Sequence, residues 1–215
     1  FQSMLTSDTL FGAICWGVKR IYNETRLATI LENYQEKPEF ILSSSFPYIE
    51  CNNNNIFFFP KPTSPGLSAS DIDEMAQTKK EKVEIITKYK KFKKTEYLSF
   101  ALFNRLLNNV SEKTLFQEYH SDEVKLKGKL LMSKKELEGF NLGEKDPLLK
   151  SELVQKNAID RLTMSTGEEG QTFYQEEYFA SPAFKLHFLI KTDNIESFKP
   201  VFRYLEDKGI GGNRS

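Results

Sequence analysis

Cysteine and histidine are scarce: the 215 residues hold two of each. Cys15 and Cys51 are far apart and neither belongs to a metal-ligand spacing, so no disulfide framework or zinc site is read, and a reduced, cytoplasmic setting is expected. His120 neighbours Ser121 and Asp122, but residues adjacent in sequence cannot converge as a catalytic triad does. His187 alternates with Leu186 and Phe188, which predicts a solvent-facing strand position. No apolar run approaches a membrane span, and no signal peptide is read. Excess charge of one sign is missing too: 30 basic side chains face 30 acidic ones. That balance excludes a general nucleic-acid coat and restricts any RNA contact to local patches. The glycine motifs of nucleotide enzymes are also absent. Gly209-Ile210-Gly211-Gly212 lacks the spacing and lysine of a phosphate-binding loop, and it closes a helical pattern where a dinucleotide fingerprint would open one.

What is present is ordinary globular composition, 39% hydrophobic with 18 phenylalanines, enough for one large or two small domains. Phe1-Gln2-Ser3-Met4 reads as the remnant of a cleavable tag and is set aside. The other end is more informative. Ile195, Phe198, Val201, Phe202 and Leu205 recur at helical spacing over 194–207, and the run ends in Lys208-Gly209-Ile210-Gly211-Gly212-Asn213-Arg214-Ser215. Gly209 suits a helix C-cap. Three glycines, an amide, a guanidinium and a hydroxyl exceed what a cap needs. They suit a backbone cradle for an anion or an RNA strand, with Arg214 supplying a phosphate fork.

Along the chain, 8–23 reads as a buried helix, with Gly12 and Gly17 allowing close packing on a sheet. A short helix over 26–35 stops before Pro38. Residues 40–49 are strand-like, and 56–59 return as the second arm of a hairpin with a core aromatic run. Between Lys79 and Lys94, eight lysines face only Glu81 and Glu84. That run is either a solvated helix face or a patch for RNA or a partner, since Tyr89 and Phe92 interleave it. Residues 99–110 read as a helix. Residues 111–150 alternate polar and apolar pairs, as in a linker or insertion with one or two short helices. Strand-like 157–163, a turn over 165–170, and pairing strands over 172–179 and 184–190 follow. Sheet then helix in this half suggests part of a ferredoxin-like unit.

Several separated stretches fall into one pattern: Ser7-Asp8-Thr9-Leu10-Phe11-Gly12-Ala13-Ile14-Cys15, Leu42-Ser43-Ser44-Ser45-Phe46-Pro47-Tyr48 with Phe58-Phe59-Pro60-Lys61-Pro62, Asn157-Ala158-Ile159-Asp160-Arg161-Leu162-Thr163, and the terminal glycine loop. In order and spacing they resemble the RAMP subunit that caps the crRNA 5′ end in type III-A CRISPR interference complexes, the fourth subunit of the Csm complex. The resemblance covers nearly the whole chain apart from the tag and the charged middle.

The resemblance implies an α+β fold of two ferredoxin-like, RRM-like modules. They are placed at 5–110 (with a basic insertion) and 151–215, with 111–150 as linker or insertion. It implies a non-catalytic protein that binds the 5′ tag of crRNA, contacts the large polymerase/cyclase-like subunit and an adjacent backbone RAMP subunit, and needs no cofactor or metal. RNA contact is assigned to Gly209, Gly211, Gly212, Arg214 and Arg161, and further to Ser43, Ser44 and Ser45. Lys91, Lys93 and Lys94 are added from the charge argument. Members of the family begin with a strand before the first helix and continue past the glycine loop, so a longer parent polypeptide is expected. The alternatives are a RAMP endoribonuclease processing precursor crRNA, a pure protein-interaction module, and the equivalent cap subunit of type III-B complexes. A nuclease of that kind uses a histidine near the first helix, whereas the first histidine here is His120.

Overall fold

The computed structural model describes residues 4–51, 54–138, 148–157 and 172–210. In chain order the elements are α1 (Ser7–Ile21), α2 (Glu24–Asn33), β1 (Phe40–Leu42), β2 (Phe46–Cys51), β3 (Asn54–Pro60), α3 (Ala69–Met75), α4 (Lys79–Phe92) and β4 (Tyr97–Ser99). They continue with α5 (Phe100–Leu107), α6 (Glu112–His120), β5 (Val124–Lys127), β6 (Leu130–Ser133), β7 (Leu149–Asn157), β8 (Thr172–Ala180), β9 (Phe184–His187) and β10 (Ile190–Thr192). A 3-10 turn (Ile195–Phe198) then leads into α7 (Lys199–Lys208). The architecture is mixed α+β. The chain forms two compact units that are interleaved in sequence: Phe46–Lys185 makes one, and Ser3–Ser45 with Leu186–Ser215 makes the other. This grouping differs from consecutive modules at 5–110 and 151–215.

In the larger unit the strands run in the order β5-β6-β4-β3-β2-β9. Pairing is antiparallel throughout β2/β3, β3/β4 and β5/β6, whereas β4 and β6 run parallel with Leu98 opposite Leu131. The helices start where side chains satisfy the free N–H groups of a first turn: Ser68 and Asp71 form a capping box on α3, and Thr78, Ser99 and Ser111 cap α4, α5 and α6. Ile85, Tyr89 and Phe92 of α4 pack with Leu98, Leu102, Leu115, Phe116, Val124 and Leu131 into one core. Burying Phe92 and Phe116 alone contributes about 2–3 kcal/mol each.

That core overturns two expectations. Residues 111–138 are no linker: α6, β5 and β6 supply Leu115, Phe116, Val124 and Leu131 to the centre. Their short apolar pairs reflect elements that bury only one narrow face. Tyr89 and Phe92, interleaved with the lysines, face inward too, so neither is available for stacking on RNA. The aromatic run divides: Phe58 is fully buried, Phe59 packs on Phe46, Phe100 and Phe103, and Phe57 is partly exposed against Tyr48.

The smaller unit packs α1, α2 and α7 around the short antiparallel pair β1/β10. Ile14, Val18, Ile30, Phe40, Phe198 and Val201 form its core, and Phe40 meets Phe11 at 5.5 Å and Phe198 at 5.0 Å between ring centroids. The first helix is amphipathic and not buried all round; Trp16 is 59% exposed, with Lys19 and Arg20 each 5.8 Å from its ring. Gly17 does allow close packing, but against α7, where a Cβ would lie 2.5 Å from Val201 Cγ1; nothing lies near Gly12.

The strand-like run over 40–49 is broken at the serines, so β1 and β2 enter different sheets. The second strand pairing also differs from expectation: β8 pairs with β7, with Thr172 opposite Asn157 and Ala180 opposite Leu149, and not with β9. The register explains this, because an antiparallel partner as long as β8 exists only on its N-terminal side.

Candidate nucleic-acid interface

The serine triplet is a junction. Ser43 donates its N–H to the Leu189 carbonyl (3.0 Å), and its Oγ accepts from the Leu189 N–H (2.8 Å) while donating to the Ser44 carbonyl (2.7 Å). Ser44 Oγ accepts from the Ser7 N–H at 3.1 Å and so supplies the first turn of α1 with a cap that Thr6 does not give. Ser45 donates its N–H to the Leu5 carbonyl at 2.7 Å and is buried, with its Oγ unpaired among the described residues. Ser43 and Ser44 thus hold the smaller unit together, and each hydroxyl keeps at least one further hydrogen-bonding position.

Gly209 ends α7. Its φ of +75° and ψ of 170° form a conformation open to glycine, and its N–H closes the helix on the Leu205 carbonyl at 2.8 Å. The helix-stop role read for Gly209 is therefore realised. Gly211, Gly212, Arg214 and Arg161 lie outside the described residues.

The lysine run forms most of α4 and the turn after it. Lys82 pairs with Asp73, and Lys88 with Glu84 at 3.2 Å. Lys93 stands 5.8 Å from the Tyr89 ring. Lys79, Lys80, Lys90, Lys91 and Lys94 are exposed and form no ion pair among the described residues. All three lysines assigned to RNA are thus exposed and without an ion pair among the described residues, Lys93 standing near its own helix's Tyr89 ring.

One element is not legible in the sequence: the hairpin of β7 and β8, nine residues in each strand. Phe173 and Phe179 stand directly opposite Lys156 and Lys150 on one face, and Tyr174 and Leu153 lie on the other; the four apolar side chains are exposed. Alternation of aromatic and charged residues over 172–179 is the available signal, but its partner Leu149–Asn157 scatters Leu149, Leu153 and Val154 among polar residues on both faces. Polar-on-both-faces strands give no hydrophobic period.

The residues with catalytic potential do not converge. Ser121 caps α6 and donates to the Glu118 carbonyl at 3.2 Å, Asp122 pairs with Lys125, and His120 leans on Phe116. Burial pushes the Cys15 thiol up. His187 is half-buried, where the alternation predicts a solvent-facing position. Among the described residues no group of His, Cys, Asp or Glu could hold a metal ion, and no helix is long and apolar enough to cross a membrane.

Neither a protein-family model nor a curated protein matches the chain. Solved structures do. Over 98% of its length the chain superposes on a chain of the Csm3–Csm4 subcomplex of the type III-A CRISPR-Cas interference complex, with a TM-score of 0.64 and 22% identity. Two structures of the Csm1–Csm4 cassette, with cA4 and with pppApA, match at a TM-score of 0.51 and 18% identity, over 100% and 96% of this chain. The chain shares its fold with them. It spans 61% of the Csm3–Csm4 subcomplex chain, and 68% and 62% of the two cassette chains. Of those neighbours, the first contains Csm4 with Csm3 and the others contain Csm4 with Csm1.

Proposed function

We propose that this chain is a non-catalytic RNA-binding subunit of a type III-A CRISPR effector complex. In this reading it caps the 5′ repeat tag of crRNA and docks both the large polymerase/cyclase-like subunit and an adjacent backbone RAMP subunit, in antiviral defence. The observation that carries the reading is the fold likeness to the Csm3–Csm4 subcomplex chain along 98% of this sequence, in a chain that also carries the family's separated motifs in order.

Three features of the chain support an RNA role. Gly209 ends α7 immediately before Gly211, Gly212 and Arg214, residue types suited to a phosphate. The hairpin β7/β8 offers the exposed rings of Phe173, Tyr174 and Phe179 for stacking bases, while its Lys150 and Lys156 pair with Glu152 and Glu177. The α4 face adds ammonium groups without acidic partners. A non-catalytic role accords with the scatter of His120, Ser121 and Asp122 and with the raised thiol of Cys15.

The test is binding of the full-length protein to a labelled crRNA 5′-tag oligonucleotide at two salt concentrations, with the RNA then checked for cleavage. Tight, salt-sensitive binding to intact RNA, preferred over a scrambled oligonucleotide, is the expected result. Cut RNA would transfer the assignment to a RAMP endoribonuclease. Binding that appears only once the large subunit is added would place the tag site across their interface.

A further inference from the structure

α4 has two faces. Ile85, Tyr89 and Phe92 are buried, and at about 100° per residue the opposite side collects Lys79, Lys80, Val83, Thr87, Lys90 and Lys91 within an arc of about 120°, with Lys94 exposed in the turn that follows. The acidic residues of the helix do not neutralise that side. Glu81 accepts from the Gln77 N–H at 2.8 Å, and Glu84 is taken by Lys88. With Lys94, the face therefore carries five ammonium groups over about 16–22 Å at 1.5 Å per residue.

Lys79 and Lys80 sit in the first turn, where the helix dipole disfavours cations, and no ion pair among the described residues offsets that cost; Lys90 and Lys91 sit in the last turn, where the dipole favours them. A protein partner is a poor occupant, because the face lacks the aromatic and arginine anchors that carry protein interfaces, and lysine is depleted in their centres. Its apolar content is Val83, 65% exposed, with the Thr87 hydroxyl turned back to the Val83 carbonyl at 2.8 Å. Compact point charges along a rigid rod, with no ring to stack and no fork to read a base, suit a phosphodiester backbone whatever its sequence.

We propose that the outward face of α4 is a second nucleic-acid site, independent of sequence, which holds the phosphate backbone of a single strand on Lys79, Lys80, Lys90, Lys91 and Lys94. It lies on the larger unit, whereas the tag-binding loop follows α7 of the smaller one. The nucleotides held on α4 are ones whose identity the protein does not read.

The experiment compares the full-length protein with a variant carrying Lys79→Gln, Lys80→Gln, Lys90→Gln, Lys91→Gln and Lys94→Gln, titrated with a 20-nucleotide oligo-U and a 20-nucleotide oligo-dT across a salt series. All five positions are exposed, and unchanged circular dichroism and Tm verify that the variant folds. The variant is expected to bind oligo-U at least tenfold more weakly at low salt. The slope of log affinity against log salt should become shallower by about 0.7 for each phosphate no longer neutralised. Oligo-dT should bind the unaltered protein within a few fold of oligo-U. Equal affinities and slopes for variant and parent would overturn the proposal, as would absence of oligo-U binding, a preference for oligo-U over oligo-dT beyond tenfold, or equally strong competition by poly-glutamate. Lys91 and Lys94 also stand among the RNA contacts read from the sequence, so total tag affinity should fall in the variant, while preference for the tag over a scrambled oligonucleotide, which base contacts carry, should survive; the tag reading and the α4 site thus fail separately.

Discussion

Lys61 Nζ lies 3.0 Å from Glu112 Oε1, and the two side chains are only 15% and 5% exposed. Ser64 Oγ donates to the same carboxylate, and the Lys61 ammonium also stands 5.2 Å from the Phe92 ring. The Phe-Phe-Pro-Lys-Pro stretch at the end of β3 is thereby joined to the start of α6 by a charge pair inside the core. Removing one partner of such a pair leaves the other buried and uncompensated. Lys61→Met should cost about 3–5 kcal/mol in urea unfolding. Adding Glu112→Gln to it should recover part of that loss. A Lys61→Met variant as stable as the parent would show the pair to be solvated in solution.

Gly17 and Val201 yield a prediction whose sign depends on background. Alanine is the better helix former by about 1 kcal/mol. Its Cβ would however stand 2.5 Å from a stiff, fully buried valine methyl. Overpacking of that kind costs about 1–3 kcal/mol, so Gly17→Ala should lower stability. In a Val201→Ala background the same change should become neutral or stabilising, which a double-mutant cycle of thermal melts would read directly.

Asp71 caps α3 and accepts from Lys113 Nζ at 2.7 Å. The Lys113 hydrogen bond first, then those from Ser68, hold its carboxyl well below the usual carboxylate range. The folded state thus binds this proton more weakly than the unfolded chain does. The stabilisation is fully present above about pH 4 and is lost as pH falls below it toward the depressed folded value. A Tm-against-pH series should show that acid limb in the parent and a flatter one in Lys113→Met. Identical limbs would remove Lys113 as the cause.

At the terminal loop two substitutions separate geometry from charge. Gly209→Ala forces a side chain into φ +75° and should destabilise α7 by about 1 kcal/mol or more, while also weakening tag binding by re-aiming the loop. Arg214→Ala should leave Tm unchanged and weaken tag binding by about 1–3 kcal/mol if it holds a phosphate. Unchanged tag affinity at matched salt would remove Arg214 from the site.

Local chemistry is legible in the residues themselves. The helix ending at Gly209 and the returning strand over 56–59 depend on side chains within a few residues of each other and appear where the sequence places them, whereas the first arm read at 40–49 begins only at Phe46. Of the residues assigned to RNA, Lys91, Lys93 and Lys94 are all exposed, with Lys93 5.8 Å from the Tyr89 ring, and Ser43 and Ser44 secure β1, Leu189 and the start of α1.

What the sequence alone determined is therefore the helices α1, α2, α5 and α7 with the stop at Gly209, several of the strands and the charge of the α4 run, because these follow from period, turn chemistry and composition. Tertiary structure decided the partners. Nothing in 40–49 says that β1 will pair with β10, so distant in the chain, while β2 enters another sheet; 149–157 shows no strand period, since Leu149 and Leu153 fall on one face and Val154 on the other among polar residues. Nor could the sequence tell that Tyr89 and Phe92 face a core built from 98–131. Such pairings are fixed by which apolar faces remain uncovered once the helices have formed, a property of the whole chain and not of any window within it.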